Sequence, residues 1–228
     1  MRLLLLRHGQ TVANVTGALD TAVPGLELTE LGRRQAGAAA RALADEGIEA
    51  IAVSTATRTS QTAAPLAGAL GSTPAAYDGL REIAAGDFEM RHDQEALEGY
   101  LGTIGGWLEG DLGRRMPGGE TGTDFLRRYD AVMARICSTA SQTVLVVSHG
   151  AAIRAWVTHR ATGDHAPAHE PLHNTGCIRL EGSLEEGWSI TAWEREPVGG
   201  AWLEDETAPD PTGGELDADE APAQSSGS

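Results

Sequence analysis

The chain has 228 residues, of which 41% are hydrophobic and 22% charged, as expected for one soluble globular domain. Its net charge of −16 argues against nucleic acid or an anionic membrane surface as a partner, because both require a basic surface. No apolar run approaches the roughly 18 residues that span a bilayer. Cys137 and Cys177 lack the spacing of a zinc site or a disulfide framework. We therefore expect a cytoplasmic protein with reduced cysteines and no metal.

All 17 basic residues are arginines. A phosphate-binding P-loop needs a lysine, and so does Schiff-base chemistry, so the sequence excludes both. Any anion site in this protein must be built from arginine, histidine and backbone N–H groups.

The first predicted element is a strand in "RLLLLRHG", which is apolar on both faces and therefore buried. A helix with a Thr29 cap is predicted to run to Gly47. A strand over 48–54 and an alanine-rich helix after Arg58 come next. The later predicted elements are an amphipathic helix in "TDFLRRYDAVMARICSTA", a strand over 143–150, a helix in "AAIRAWVTHRAT" and a hairpin of "CIRLEG" with "WSITAWE".

The alternation of strands and helices predicts an α/β fold, a three-layer α/β/α sandwich with a mostly parallel central sheet. A single domain is expected over residues 1–200. Residues 201–228 carry eight acids and no base, with Pro, Gly and Ser, so they predict a disordered acidic tail.

Two predicted strands end in the same way, "LLLLRHG" and "LVVSHG", each with a histidine followed by a glycine. In parallel sheets, ligands bind beyond the carboxyl ends of the strands. We therefore expect His8 and His149 to lie at one ligand-binding edge, with Arg7 beside them.

The motifs "LLRHGQT", "LTELGRRQA", "VSTATRTSQTA", "LREIAAGDFE", "PGGET" and "VVSHGAAIR", in this order, resemble those of the histidine phosphatase superfamily, the phosphoglycerate-mutase-like enzymes. The resemblance runs from Met1 to about Trp193. It implies a phosphomonoesterase that needs no cofactor or metal and acts on a small-molecule phosphate ester. A homodimer is an expectation from the family alone.

The resemblance also implies roles for individual residues. The nucleophile would be His8, which forms a covalent phosphohistidine, and Glu82 would give the leaving oxygen its proton. His149 would complete the catalytic set. The residues expected to bind the phosphoryl oxygens are Arg7, Arg58, Asn14 and Thr11.

Three features remain open beside this hypothesis. The family commonly has glycine where this chain has Met90, after Glu89, which bears on the substrate. His165, His169 and His173 are spaced like metal ligands, but Pro167 and Pro171 favour a loop; Asn174 follows at a position where the family often has an asparagine near the active site.

The runner-up functions are a cofactor-dependent phosphoglycerate mutase and a non-catalytic binding member of the same fold. The short segment 87–116 has three arginines against seven acids, which favours a phosphatase over a mutase. The simultaneous presence of the five residues Arg7, His8, Arg58, Glu82 and His149 favours an enzyme over a binding protein.

Overall fold

The computed structural model describes residues 1–139 and 142–214. Seven strands form one mixed sheet in the order β3-β2-β4-β1-β6-β7-β5. Strands β3, β2, β4 and β1 are parallel, whereas β6 runs antiparallel to β1 and β7 antiparallel to β6. The strands are β1 (Arg2–Arg7), β2 (Ile48–Ser54), β3 (Ala75–Tyr77), β4 (Thr143–Ser148), β5 (Ala161–Thr162), β6 (Cys177–Ser183) and β7 (Gly187–Glu194).

Helices cover both faces of the sheet. One hydrophobic cluster joins α2 and α3 to the sheet, and a second, larger one joins α4, α5 and α6 to the opposite face. The three-layer α/β/α sandwich is thus confirmed. The helices are α1 (Val12–Thr16), α2 (Glu30–Ala42), α3 (Thr57–Leu70), α4 (Gln94–Leu108), α5 (Gly122–Cys137) and α6 (Gly150–Arg160). Within the described residues, no helix combines the length and the apolar character needed to cross a membrane.

The four leucines of β1 are buried on both faces of the sheet. Successive side chains of a strand point to opposite faces. Leu3 and Leu5 accordingly pack into the α4–α6 cluster, while Leu4 and Leu6 pack into the α2–α3 cluster. Strand β1 lies between β4 and β6, so burial on both faces fixes its position and that of the residues that follow it.

Among the helices longer than five residues, two differ from the predictions. Helix α2 begins at its Thr29 cap as expected but ends at Ala42, five residues before Gly47. Helix α4 was not predicted, because its four glycines are unfavourable in a helix interior. One of them, Gly99, lies so close to the Phe88 ring that a Cβ there would come within 2.5 Å of it. This helix is therefore stabilised by packing rather than by propensity.

The beginning of the expected acidic tail also differs from the prediction. Residues 201–203 form a 3₁₀ turn, and residues 210–213 are buried against the domain. Their composition is poor in apolar residues, but their polar groups find partners in the fold, as described below. The remaining part of that segment, 215–228, lies outside the described residues.

Candidate active site

His8 follows β1 directly and is 2% exposed. Its Nδ1 lies 2.8 Å from the carbonyl oxygen of Gly9. A carbonyl only accepts hydrogen bonds, so Nδ1 carries the ring proton and Nε2 has a free lone pair. The amide of Asn174 and the backbone N–H of Thr175 both donate to the His8 carbonyl, which holds the backbone in place.

Gly9 is required by close packing rather than by an unusual backbone conformation. A Cβ on Gly9 would lie 2.7 Å from the carbonyl oxygen of Gly32, at the start of α2. The Gly9 N–H donates to the Thr62 hydroxyl in α3 at 2.9 Å. The segment after β1 is thus pressed against two helices, and that contact orients His8.

His149 directly follows β4, which lies next to β1, and is fully buried. Its ring centre lies 5.2 Å from that of His8, which confirms that the two strand ends bring the histidines together. His149 Nε2 pairs with the Ser54 hydroxyl at 2.8 Å, at the end of the neighbouring strand β2. Its Nδ1 is buried and has no hydrogen-bond partner among the described residues.

Arg7 is fully buried and holds a carboxylate from the C-terminal part of the chain. Its Nη1 and Nη2 each donate to one oxygen of Asp210 at 2.6 Å. Asn14 donates from Nδ2 to the same carboxylate at 2.7 Å. Burial lowers the pKa of Arg7, but the charge and hydrogen bonds of Asp210 outweigh it and leave this pKa raised. Arg7 and Asn14 therefore form one anion-binding pair.

Thr11 takes a different position from Asn14. It is the cap of α1, and its hydroxyl donates to the Asn14 side-chain oxygen at 3.0 Å. The Thr11 N–H donates to that oxygen as well, at 2.8 Å. These bonds leave the Asn14 NH₂ group pointing at the carboxylate, whereas Thr11, as the structure describes it, makes no hydrogen bond to that carboxylate. Thr11 thus orients Asn14.

Arg58 lies in the first turn of α3 and is 2% exposed. It pairs with Asp20, through Nη1 to the carboxylate at 3.3 Å and through Nη2 to the carbonyl oxygen at 3.0 Å. Burial lowers the pKa of Arg58, although Asp20 and Glu82 oppose the shift. The sequence did not single out Asp20, which lies in a loop of ordinary composition.

Glu82 is 3% exposed and lies against the first turn of α6. Its Oε1 accepts from the N–H groups of Ile83 and Ala152, both at 2.9 Å, and its Oε2 from Ala151 at 3.4 Å. Burial raises the pKa of Glu82, and these N–H groups offset the shift only in part. The protonated acid is therefore more populated than for a solvated glutamate.

The two histidines have the opposite shift. Burial, the charge of Arg58 and other nearby charged groups lower the pKa of both His8 and His149 well below its usual range. Both imidazoles are therefore neutral near pH 7. The site combines a neutral His8, two buried guanidiniums and a carboxyl group with a raised pKa, which are the groups needed to bind an anion and to attack it.

The remaining candidates lie apart from this cluster. Met90 is half exposed and has a φ of 60°, a left-handed conformation that favours glycine, which matches the glycine of the family pattern. Glu89 accepts from the N–H groups of Thr21 and Ala22 and holds the loop around Asp20. His173 pairs with Glu204 at 3.0 Å.

Comparison with known proteins agrees with this geometry. The family model described as "Histidine phosphatase superfamily (branch 1)" matches residues 3–196. This range includes all seven candidate site residues of the sequence analysis, but it ends before Asp210.

Among solved structures, a mycobacterial glucosyl-3-phosphoglycerate phosphatase is similar, with 28% identity and a TM-score of 0.71, over 85% of this chain and 98% of that one. A Yersinia pestis protein named "Probable phosphoglycerate mutase GpmB" is 31% identical over 87% of this chain and 93% of its own. The protein PE_PGRS11 of Mycobacterium tuberculosis is 37% identical over 87% of this chain, which spans only 37% of that longer protein.

Proposed function

The chain belongs to the histidine phosphatase superfamily, branch 1, and is a phosphatase of that family; we propose that it hydrolyses a small phosphate monoester through a phosphohistidine at His8. The observation that carries the proposal is the free Nε2 of a neutral His8 beside two buried guanidiniums, Arg7 and Arg58. Each other residue of the cluster then has a defined task.

In the first step, the Nε2 lone pair of His8 attacks phosphorus and the bond to the leaving oxygen breaks. Arg7, Asn14 and Arg58 stabilise the charge on the equatorial oxygens, which is the main task in phosphoryl transfer. The hydrogen bond to Gly9 stabilises the positive charge that appears on the His8 ring.

Glu82 supplies the proton for the leaving oxygen. In the second step, its carboxylate takes a proton from water, the water oxygen attacks phosphorus, and the N–P bond breaks. The electron pair returns to Nε2, inorganic phosphate forms, and both Glu82 and His8 are restored. The raised pKa of Glu82 favours the protonated form that the first step requires.

His149 would donate a hydrogen bond to the same oxygens from Nδ1. The Ser54 hydroxyl oxygen accepts from the Ala56 N–H, so the Ser54 hydroxyl proton can be donated to His149 Nε2. In that arrangement Nδ1 carries the proton and meets no other acceptor among the described residues. A phosphoryl oxygen would satisfy this buried donor.

The arginines of segment 87–116 support a phosphatase rather than a mutase. A mutase must bind a second acidic group of its substrate. Here Arg91 is already paired with Asp93 and Glu95 at 2.6 and 2.7 Å. Arg115 donates to the carbonyl oxygen of Gly119, and Arg114 is exposed. None of these three arginines contacts the His8 cluster.

Trapping of the intermediate tests the proposal. The wild type is mixed with a radiolabelled aryl phosphate, quenched and mapped, and the label is expected on His8, stable to base and labile to acid. His8→Ala is the blank, and a phosphoglycerate mutase assay runs beside a hydrolysis screen of phosphorylated metabolites. Absence of both label and hydrolysis would refute the catalytic function, and mutase turnover faster than hydrolysis would favour the runner-up.

A further inference from the structure

Residues 204–214, which we call the strap, lie against Arg7 and Asn14 of the candidate site. The strap follows the region that matches the family model, which ends at residue 196. Its central residue, Asp210, is 8% exposed and places its carboxylate on Arg7 and Asn14. The strap is therefore a feature of this chain that the family comparison does not describe.

Asp210 contacts these residues as an anionic ligand would. A carboxylate and a phosphoryl group both accept two parallel hydrogen bonds from a guanidinium. Asp210 accepts two hydrogen bonds of 2.6 Å from Arg7 and a third of 2.7 Å from Asn14. Its backbone φ of 38° is unusual for a residue other than glycine, so the chain adopts a strained turn to place this carboxylate.

Backbone contacts hold the turn on both sides. Asp210 N–H donates to the Asn14 carbonyl at 3.1 Å, and Leu172 N–H donates to the Gly213 carbonyl at 2.9 Å. Arg154 is fully buried and donates to the carbonyl oxygens of Thr212 and Gly214. These contacts are hydrogen bonds, and a hydrogen bond whose partner water can replace contributes only a small net free energy.

The strap end before Asp210 is held by two side chains. Gln10 donates to the carboxylate of Asp205 at 2.9 Å, and His173 pairs with Glu204 at 3.0 Å. The strap thus remains attached near residue 205 even if the Asp210 turn opens.

The other residues of the candidate site are buried in this structure, in which the strap is in place. His8, Arg58, Glu82 and His149 are each no more than 3% exposed. A phosphate ester cannot accept the same two hydrogen bonds from Arg7 without displacing the Asp210 carboxylate.

We propose that the strap is an internal competitive ligand of the phosphate pocket, in which the Asp210 carboxylate occupies Arg7 and Asn14 until a phosphorylated ligand displaces it. This inference rests on the proposed function, since it takes Arg7 and Asn14 as phosphate-binding residues. In the free enzyme, the strap occupies Arg7 and Asn14. The free-energy cost of displacing it therefore weakens the observed binding of substrate.

The test compares three full-length proteins: the wild type, Asp210→Asn and Glu206→Gln. Glu206 is exposed in the same strap, so its variant removes the same charge without touching the pocket. Calorimetry measures the binding of inorganic phosphate. Asp210→Asn is expected to bind phosphate about tenfold more tightly, because a pocket open one-tenth of the time shows a tenfold weaker apparent affinity. Glu206→Gln is expected to match the wild type.

Amide hydrogen exchange on the wild type keeps the test independent of the variants. Addition of phosphate is expected to speed exchange at Leu172, Gly213 and Gly214, whose N–H groups donate within the strap or to it. Slower exchange at these amides would show that the strap closes over the ligand and would overturn the proposal. Unchanged or weaker phosphate binding by Asp210→Asn, with an unchanged Tm, would overturn it as well.

Repeating the calorimetry in a His8→Asn background separates this proposal from the proposed function. Phosphate binding needs no turnover, so the Asp210→Asn effect is expected there too. If hydrolysis were absent but that effect present, the strap proposal would stand while the catalytic function failed.

Discussion

Replacement of Glu82 by glutamine tests the proton donor, because it removes the transferable proton and keeps nearly the same side-chain shape. In glutamine, one carbonyl oxygen can still accept from Ile83 and Ala152, the two bonds of 2.9 Å. Only the 3.4 Å bond from Ala151 is lost, since the amide NH₂ then faces an N–H. We expect a loss of about 1 kcal/mol in unfolding free energy, or roughly 2–4 °C in Tm.

The loss of activity should depend on the leaving group. General acid catalysis contributes about 10²- to 10⁴-fold when the leaving oxygen needs a proton. We therefore expect Glu82→Gln to lower kcat/KM, which reports the first step, at least about 100-fold with an alkyl phosphate such as glycerol 2-phosphate. With p-nitrophenyl phosphate the leaving anion is stable by itself, and the expected loss is less than about tenfold.

The assay is phosphate release from both substrates at concentrations well below KM, which gives kcat/KM, with the wild type, Glu82→Gln and Glu109→Gln. Glu109 is exposed at the end of α4 and serves as the control for the same substitution. Both substrates must displace the strap, so its cost cancels in the ratio of the two losses. Equal losses with the two substrates, in a folded variant, would refute the role of Glu82 as acid.

Three further predictions follow from the geometry. The kcat/KM of the wild type should rise with pH as His8 loses its proton, and this rise should lie below the usual histidine range because the pKa of His8 is lowered. It should fall again as Glu82 loses its proton, above the usual glutamate range because the pKa of Glu82 is raised. An optimum on the acid side of neutral is expected, and Glu82-dependent activity that stays flat to pH 9 would contradict it. Arg58→Lys keeps the charge but loses the planar donor pair, so kcat/KM should fall about 100-fold, while the exposed Arg114→Lys should leave it unchanged in the same assay. Met90→Gly should raise the unfolding free energy by about 1 kcal/mol in denaturant titrations, because glycine adopts the left-handed φ of this position without strain and the lost side chain is half exposed. A lower stability would show instead that packing of the Met90 side chain stabilises the fold.

Much of the fold could be predicted from local patterns. The leucines of β1 and the apolar run of β4 indicate central strands, because only strands buried on both faces are apolar at every position. Thr29 marks the start of α2, because its side chain caps the first turn. Helix α4 could not be predicted, since its glycines become favourable only where a neighbour such as Phe88 fills the space that they leave.

The site divides in the same way. Its motifs predicted His8, His149, Arg7, Arg58 and Glu82 as candidates, and the neighbouring ends of β1 and β4 explain why the two histidines meet. The motifs carry this information because His8 and His149 directly follow strands and Arg58 begins a helix, and the hydrophobic pattern predicts these elements.

Other residues of the site depend on contacts between distant parts of the chain. Asp20 pairs with Arg58 across 38 residues, and Asp210 reaches Arg7 across 203. Composition alone predicted a disordered segment at Asp210, because the segment has few apolar residues to bury. Composition does not show the hydrogen bonds that a buried arginine elsewhere in the chain can donate to it. The sequence by itself determined the candidate site residues and the strands that precede the two histidines. Only the tertiary structure decided which carboxylates face those groups, because such pairings depend on how loops and the C-terminal strap pack across the sheet edge.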